Sequence, residues 1–137
     1  MGTWGMDSFE NDDAMDWVGE FCDAPSNSKI KTALQKVAEF RGEYLEAPEC
    51  QGAIAAAEVI AALKGFANEK MPDELADWVK RQKGQVDSDL VKLAKRAMER
   101  VRTNSELKDL WEEEEVAKED REAWFRSISS LEERLIN

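Results

Sequence analysis

The spacing of hydrophobic residues is helical along almost the whole chain. Apolar positions recur every three or four residues, and no segment alternates between apolar and polar positions as a half-buried strand does. The pattern predicts seven helical segments, at about 11–22, 28–44, 48–66, 72–84, 88–102 and 120–137, with a short sixth segment that follows Ser105 and ends in the acidic run at 112–115. No Gly/Ser-rich linker divides them. We therefore expect an all-α fold with a single domain over residues 1–137, in which residues 1–10 form an N-terminal loop that packs on or near the bundle.

The third segment is the one expected at the centre of this bundle of about six or seven helices. Its middle part, AIAAAEVIAAL at 53–63, is apolar on every face except at Glu58. A helix without a polar face is usually buried on all sides, and its alanines let neighbouring helices approach closely. Such a segment rises only about 16 Å, roughly half of a bilayer core, so we do not expect it to span a membrane.

Charge is distributed unevenly along the chain. The 137 residues carry a net charge of −11, and residues 1–27 contain seven acids and no base. Residues 105–137 contain eleven acids against five bases. Proteins that bind nucleic acid or anionic membranes need a basic surface, so neither is an expected partner. A basic protein is the partner that this distribution favours.

The absence of histidine removes several kinds of catalytic and metal site. No Ser–His or Cys–His nucleophile pair and no histidine ligand is available. Cys22 and Cys50 have apolar neighbours, so we expect buried free thiols rather than a disulfide or a zinc site. The N-terminus does not resemble a secretory signal peptide. We therefore expect a cytoplasmic protein without a cofactor.

Three carboxylates are the candidates for a divalent metal site. Asp12 and Asp16 lie one helical turn apart, and oxygen ligands suit Ca²⁺ or Mg²⁺. The alternative is that these acids stabilise the N-terminus of the first helix, where Asn11 is expected to be the N-cap. Glu58 is a lone carboxylate in an apolar helix, which is costly to bury without a partner. It is expected to form an ion pair, for example with a base of the fifth segment, to reach the helix rim, or to act as a general base or ligand.

The N-terminal segment is the expected contact surface for a partner. Trp4 lies outside the periodic helices, in a loop that contains Gly5, and aromatic residues in such positions often anchor interfaces. We assign partner binding to Trp4, Asp7, Phe9 and Glu10. The alternative is that Trp4 and Phe9 close the end of the bundle, in which case the loop is part of the architecture.

A basic ridge lies on the fifth segment. Lys92, Arg96 and Arg100 recur every four residues and share one helix face. They are expected to be a solvated face that offsets the acidic run at 112–115, with anion binding as the alternative.

Four stretches of the sequence together resemble the DUF4259 family of bacterial proteins. They are GTWG…FENDDAMDW at the N-terminus, AAAEVIAAL at 55–63, ELADWV at 74–79 and SELKDLWEE at 105–113. The similarity extends from Gly2 to Leu135. It implies a bacterial single-domain protein, and because the family has no known function it implies no catalytic residues.

Two functions are compatible with these features. The first is a non-enzymatic acidic interaction module, such as an antitoxin-like or immunity-like binder of a basic protein, which can also form homo-oligomers. The alternative is a carboxylate-based enzyme that depends on a divalent metal ion held by Asp12, Asp16 and Glu58.

Overall fold

Seven α-helices form the regular structure of residues 5–82 and 85–136, the part of the chain that the computed structural model describes. Within those ranges there is no strand. The helices are α1 (Asp12–Asp23), α2 (Asn27–Ala38), α3 (Ala47–Leu63), α4 (Asp73–Arg81), α5 (Ser88–Thr103), α6 (Glu106–Trp111) and α7 (Lys118–Ile136). The prediction of an all-α fold is confirmed.

Helix α3 is the centre of the bundle, as its uniform hydrophobicity predicts. It packs against each of the other six helices. Every side chain from Ala53 to Leu63 is buried. Since most of these residues are alanine, the surrounding helices can approach α3 from all sides, and their own apolar stripes complete the core.

Short polar side chains fix the first turns of four helices, α1, α2, α5 and α6. The Asn11 side chain accepts a hydrogen bond from the backbone N–H of Ala14 at 2.7 Å, which caps α1 as predicted. Ser26 caps α2 and Ser105 caps α6 in the same way. These caps satisfy backbone donors that have no partner inside the helix, and so they set where each helix begins.

The prediction that α2 continues to residue 44 is wrong. The helix ends at Ala38, Tyr44 is 51% exposed, and Leu45 enters the core instead. Gly42 lies in this stretch, and glycine costs about 1 kcal/mol relative to alanine inside a helix. The loop is held by Arg100, whose guanidinium donates to the Phe40 carbonyl oxygen and lies 5.5 Å from the centre of the Phe40 ring.

Other helix boundaries agree closely with the hydrophobic pattern. Helix α4 ends at Arg81, and the glycine expected to stop it, Gly84, lies outside the described residues. Helix α7 begins at Lys118, two residues before the predicted start. None of the described helices is long and apolar enough to cross a membrane.

Candidate functional site

The most enclosed point of α3 holds a charged residue. The Glu58 side chain is 0% exposed, and its two oxygens accept hydrogen bonds from the Arg134 guanidinium. Arg134 Nη1 lies 2.7 Å from Oε1, and Nη2 lies 3.1 Å from Oε2. Nη1 also donates to the carbonyl oxygen of Phe66 at 3.1 Å. A two-pronged pair of this kind is the strongest form of ion pair and fixes the orientation of both side chains.

Two uncharged side chains complete the hydrogen bonds of this carboxylate. Ser8 Oγ donates to Glu58 Oε2 at 2.6 Å, and Asn68 Nδ2 donates to the same oxygen at 3.0 Å. Asn68 Nδ2 also donates to Asp7 Oδ1 at 2.8 Å. We call Ser8, Glu58, Asn68 and Arg134 the Glu58 cluster. It joins the N-terminal segment, the centre of α3, the α3–α4 loop and the end of α7.

The Glu58 cluster corrects one detail of the sequence analysis. The expected ion pair is present, but its base comes from α7 and not from the fifth segment. The sequence signal was weak, because Arg134 is one of several charged residues among the last apolar positions of α7. Both carboxylate oxygens of Glu58 already accept hydrogen bonds, so the geometry gives this side chain a role in joining segments.

The three candidate metal ligands do not come together. Asp12 and Asp16 are exposed on α1, whereas Glu58 is enclosed in the core. Within residues 5–82 and 85–136, no group of three or more His, Cys, Asp or Glu side chains converges as a metal site would require. Asp12 lies in the first turn of α1, where a negative charge stabilises the helix dipole.

The expected partner-binding residues divide between the core and the surface. Phe9 is 4% exposed and packs in the core, so its ring closes the bundle. Asp7 and Glu10 are half-buried, and each accepts a hydrogen bond from the α3–α4 loop: Asp7 from Asn68, Glu10 from Lys70 at 3.2 Å. Trp4 lies outside the described residues. Asp7 and Glu10 therefore form hydrogen bonds within the protein.

A surface depression of about 510 Å³ lies elsewhere, between α1, α2 and the first turns of α3. Its walls include Asp13, Asp16 and Glu20 of α1, together with Glu49 of α3. We call this depression the α1–α2 groove. Three exposed acids of α1 therefore lie on the groove wall.

An aromatic platform lies in the α1–α2 groove. Trp17 and Phe21 both line it, and their rings are stacked with centroids 5.1 Å apart. Phe21 in turn meets the Trp78 ring edge to face at 5.0 Å. Trp17 is therefore held in place, yet it remains only half-buried. Gly52, on the α3 side, has no side chain to cover it.

Two lysines also line the groove, and both have partners. Lys29 Nζ donates to the carbonyl oxygen of Glu20 at 2.9 Å. Lys36 Nζ lies 3.9 Å from a carboxylate oxygen of Glu49, and both side chains are about half exposed. Exposed pairs of this kind contribute only about 0–1 kcal/mol, so a competing cation can displace Lys36 readily.

The basic ridge of α5 does not pair with the acidic run as expected. Arg100 turns toward the α2–α3 loop and donates to the backbone oxygens of Phe40 and Asn104. Within the acidic run, Glu112 pairs with Lys108, one turn earlier along the chain. Lys92 and Arg96 are exposed, which agrees with a solvated face.

The two cysteines are free, but only one is fully enclosed. Cys50 is 0% exposed, and burial raises the pKa of its thiol to about 11. Cys22 is partly buried, and its pKa is raised by burial and then by the nearby carboxylates of Glu74 and Asp23. A raised pKa leaves little thiolate at neutral pH, so neither cysteine has the electrostatic surroundings of a nucleophile.

Sequence reasoning did not identify the groove residues Asp13, Trp17 and Glu20 as a site. Trp17 falls on the apolar stripe of the first helix, and its ring does pack on Phe21. The available signal was that three acids lie on the flank of that stripe. That they form the wall of a groove depends on how α1 and α2 each pack against α3, which helical periodicity does not specify.

Comparison with known proteins identifies one family. A family model described as a domain of unknown function, DUF4259, matches residues 2–126. No curated protein matches the chain. No solved structure matches it.

Proposed function

The chain belongs to the DUF4259 family, and we propose that this protein is a non-enzymatic interaction module that binds a basic segment of a partner protein in the α1–α2 groove. An antitoxin-like or immunity-like role fits such a module. The observation that carries the proposal is a half-buried, fixed tryptophan in a groove with acidic walls.

The location of exposed negative charge supports this surface over the N-terminal segment. Asp7 and Glu10 accept hydrogen bonds from within the fold. Asp13, Asp16 and Glu20 are exposed on α1. Charges at the surface steer a basic partner toward the groove and raise its association rate. We therefore move the proposed contact from the N-terminal segment to α1.

The chemistry of the groove favours a lysine or arginine side chain as the inserted group. A cation over an aromatic face gains about 0.5–2 kcal/mol, and tryptophan is the strongest of the aromatic partners. Nearby carboxylates add hydrogen bonds to the same cation. Because Trp17 is already held by Phe21, little conformational freedom is lost when a ligand packs on it.

The remaining features of the proposal follow from composition. The net charge of −11 favours a basic protein over nucleic acid as the partner. Two free thiols are compatible with a reducing compartment, and we propose the cytoplasm of a bacterium as the place of action. Nothing in the described residues favours the metal-dependent enzyme, since Asp12, Asp16 and Glu58 do not converge.

The test is a titration of isotope-labelled protein with a synthetic peptide of nine residues that carries four Lys or Arg residues. We expect the indole N–H resonance of Trp17, assigned with Trp17→Phe, to shift more than those of the other tryptophans. Combined replacement of Asp13 and Asp16 by Asn and of Glu20 by Gln should raise the dissociation constant tenfold or more. A tenfold increase corresponds to a loss of about 1.4 kcal/mol of binding free energy.

A matched control separates the groove from overall charge. The acidic run at 113–115 is exposed and lies outside the groove, so changing its three Glu residues to Gln removes the same number of charges. This variant should bind the peptide nearly as well as the unmodified protein. Equal weakening by both triple variants would show attraction to net charge without a site and would refute the proposal.

A further inference from the structure

We propose, as an extension that rests on the function above, that the groove is bipartite and recognises two basic residues, two positions apart, of an extended segment. The first subsite contains Trp17. The second lies where a smaller depression of about 390 Å³ meets the groove beside the α2–α3 loop. Lys36 and Glu49 line both depressions, so the two are continuous.

The second subsite has the same kind of chemistry as the first. Its walls include the rings of Phe40 and Tyr44 and the carboxylates of Glu46 and Glu49. Tyr44 is 51% exposed, which is unusual for a large aromatic residue in this protein. Its hydroxyl donates to Asp109 at 3.3 Å, so the ring has a fixed support on α6. An arginine placed here meets an aromatic face and two carboxylates.

The α2–α3 loop already contains one contact between an arginine and an aromatic ring, at Phe40. The guanidinium of Arg100 lies 5.5 Å from the Phe40 ring centre. Tyr44 is the neighbouring aromatic residue, and no cation of the described residues lies over its ring as Arg100 lies over Phe40. The Tyr44 ring and the carboxylates of the second subsite can therefore bind a cation from another molecule.

The Lys36–Glu49 pair lies between the two subsites. It is the only ion pair that the described residues form within the continuous groove. Because the separation is 3.9 Å and both side chains are about half exposed, a bound peptide can displace it at small cost. Binding of a basic segment then releases Lys36 to solvent while Glu49 accepts the incoming cation.

Helix α3 sets the distance between the subsites. Trp17 meets α3 at Gly52, and Glu46 lies at the N-cap of α3 in the second subsite. Six residues of helical rise correspond to about 9 Å. In an extended peptide, residues two positions apart lie on the same side and about 7 Å from each other, and long arginine side chains span the rest.

The test compares two isomeric peptides with identical charge. In Gly-Arg-Ser-Arg-Gly-Ser the two arginines lie on the same side of an extended chain and can reach both subsites, whereas in Gly-Arg-Arg-Ser-Gly-Ser they lie on opposite sides. We expect the first peptide to bind about fivefold more tightly by calorimetry, because the second contact becomes intramolecular. Tyr44→Ala and Glu46→Gln should each reduce this advantage toward unity.

The controls keep the two proposals distinguishable. Glu46 makes no side-chain cap hydrogen bond to α3, so Glu46→Gln leaves the helix intact, and Glu43→Gln removes an exposed acid of the same loop outside the groove. The fivefold advantage should persist in Glu43→Gln. Equal affinity of the two isomers, with the Trp17 indole still shifting, would refute the bipartite groove alone. Loss of the Trp17 response to both peptides would refute the proposed function as well.

Discussion

The Glu58 cluster and the α1–α2 groove use charge in opposite ways. At Glu58 a carboxylate is 0% exposed, and four hydrogen bonds from Ser8, Asn68 and Arg134 satisfy it. In the groove, the carboxylates of α1 remain exposed beside a tryptophan. One region removes charge from water and compensates it inside the molecule, while the other leaves charge where a second molecule can reach it.

This difference shows why net charge alone does not locate a binding surface. The seven acids of residues 1–27 look equivalent in the sequence. In the fold, Asp7 and Glu10 hold the N-terminal segment to the α3–α4 loop, whereas Asp13, Asp16 and Glu20 line a groove. The first group should matter for stability and the second for binding. Four substitutions or conditions test that separation.

The largest expected effect is at the enclosed pair. Arg134→Ala leaves the Glu58 carboxylate buried without its counter-charge, which typically costs about 3–5 kcal/mol. For a domain of this size we expect the melting temperature to fall by on the order of 10–15 °C. The control is Arg126→Ala, an exposed arginine of the same helix, which should change stability by less than about 0.5 kcal/mol. Similar melting temperatures for the two variants would contradict the structural role of the pair.

The next effect is a loss of stability at alkaline pH that depends on the buried Cys50 thiol. Burial raises the pKa of Cys50 from 9.0 to about 11, so the folded protein favours the uncharged thiol. The resulting stabilisation is fully present below pH 9 and is lost as the pH rises to about 11; it amounts to about 2–3 kcal/mol.

Urea unfolding at pH 8 and pH 10.5 measures this loss. Cys50→Ala should show a smaller decrease between the two pH values than the unmodified protein, whereas Cys22→Ala, which removes a less buried thiol, should retain most of the decrease. If Cys50→Ala loses as much stability as the unmodified protein, the enclosure of Cys50 does not contribute to alkaline unfolding.

A smaller effect is expected where the Glu58 cluster meets the N-terminal segment. Asn68→Ala removes the hydrogen bonds to Asp7 and Glu58, at a cost of about 1–2 kcal/mol. Amide hydrogen exchange in residues 5–11 should accelerate more than exchange in α5. Lys70→Ala, which removes only the exposed pair with Glu10, should have little effect on either. Unchanged exchange in Asn68→Ala would show that Asn68 does not anchor the segment.

The smallest effect is expected on the groove wall. Asp16 and Glu20 carry like charges one helical turn apart, so converting them to Asn and Gln should leave stability unchanged or raise it by about 0.2–0.5 kcal/mol. Thermal unfolding of this double variant gives the answer. A loss above about 1 kcal/mol would place these acids with the structural group and would remove the contrast between the two regions.

Sequence periodicity predicted most of the helices correctly but not every helix boundary. The uniform hydrophobicity of 53–63 predicted a central helix, and Asn11 was correctly identified as the cap of α1. The end of α2 was predicted wrongly because Val37 and Tyr44 are seven residues apart, which matches a helix face. The chain leaves the helix after Ala38, and the loop buries Leu45 instead.

The sites depended on contacts that periodicity cannot supply. That Glu58 needed a partner followed from its apolar surroundings. That the partner is Arg134 follows from the packing of α7 beside α3, since 76 residues separate the two along the chain. The groove likewise requires the packing of α1 and α2 against α3, and the exposure of Tyr44 requires the early end of α2. Local patterns identify which residues are unusual, and tertiary packing decides what each one touches.

The most direct test of the account is the melting temperature with and without a basic peptide. A ligand that binds only the folded state stabilises it by about 2.7 kcal/mol at a concentration one hundred times the dissociation constant. With the nine-residue peptide at that excess, the unmodified protein and the Glu113–Glu115 triple variant should both melt several degrees higher. The Asp13/Asp16/Glu20 variant should show a much smaller increase at the same peptide concentration. The same increase in all three proteins, or in none of them, would contradict the assignment of the α1–α2 groove as the binding surface.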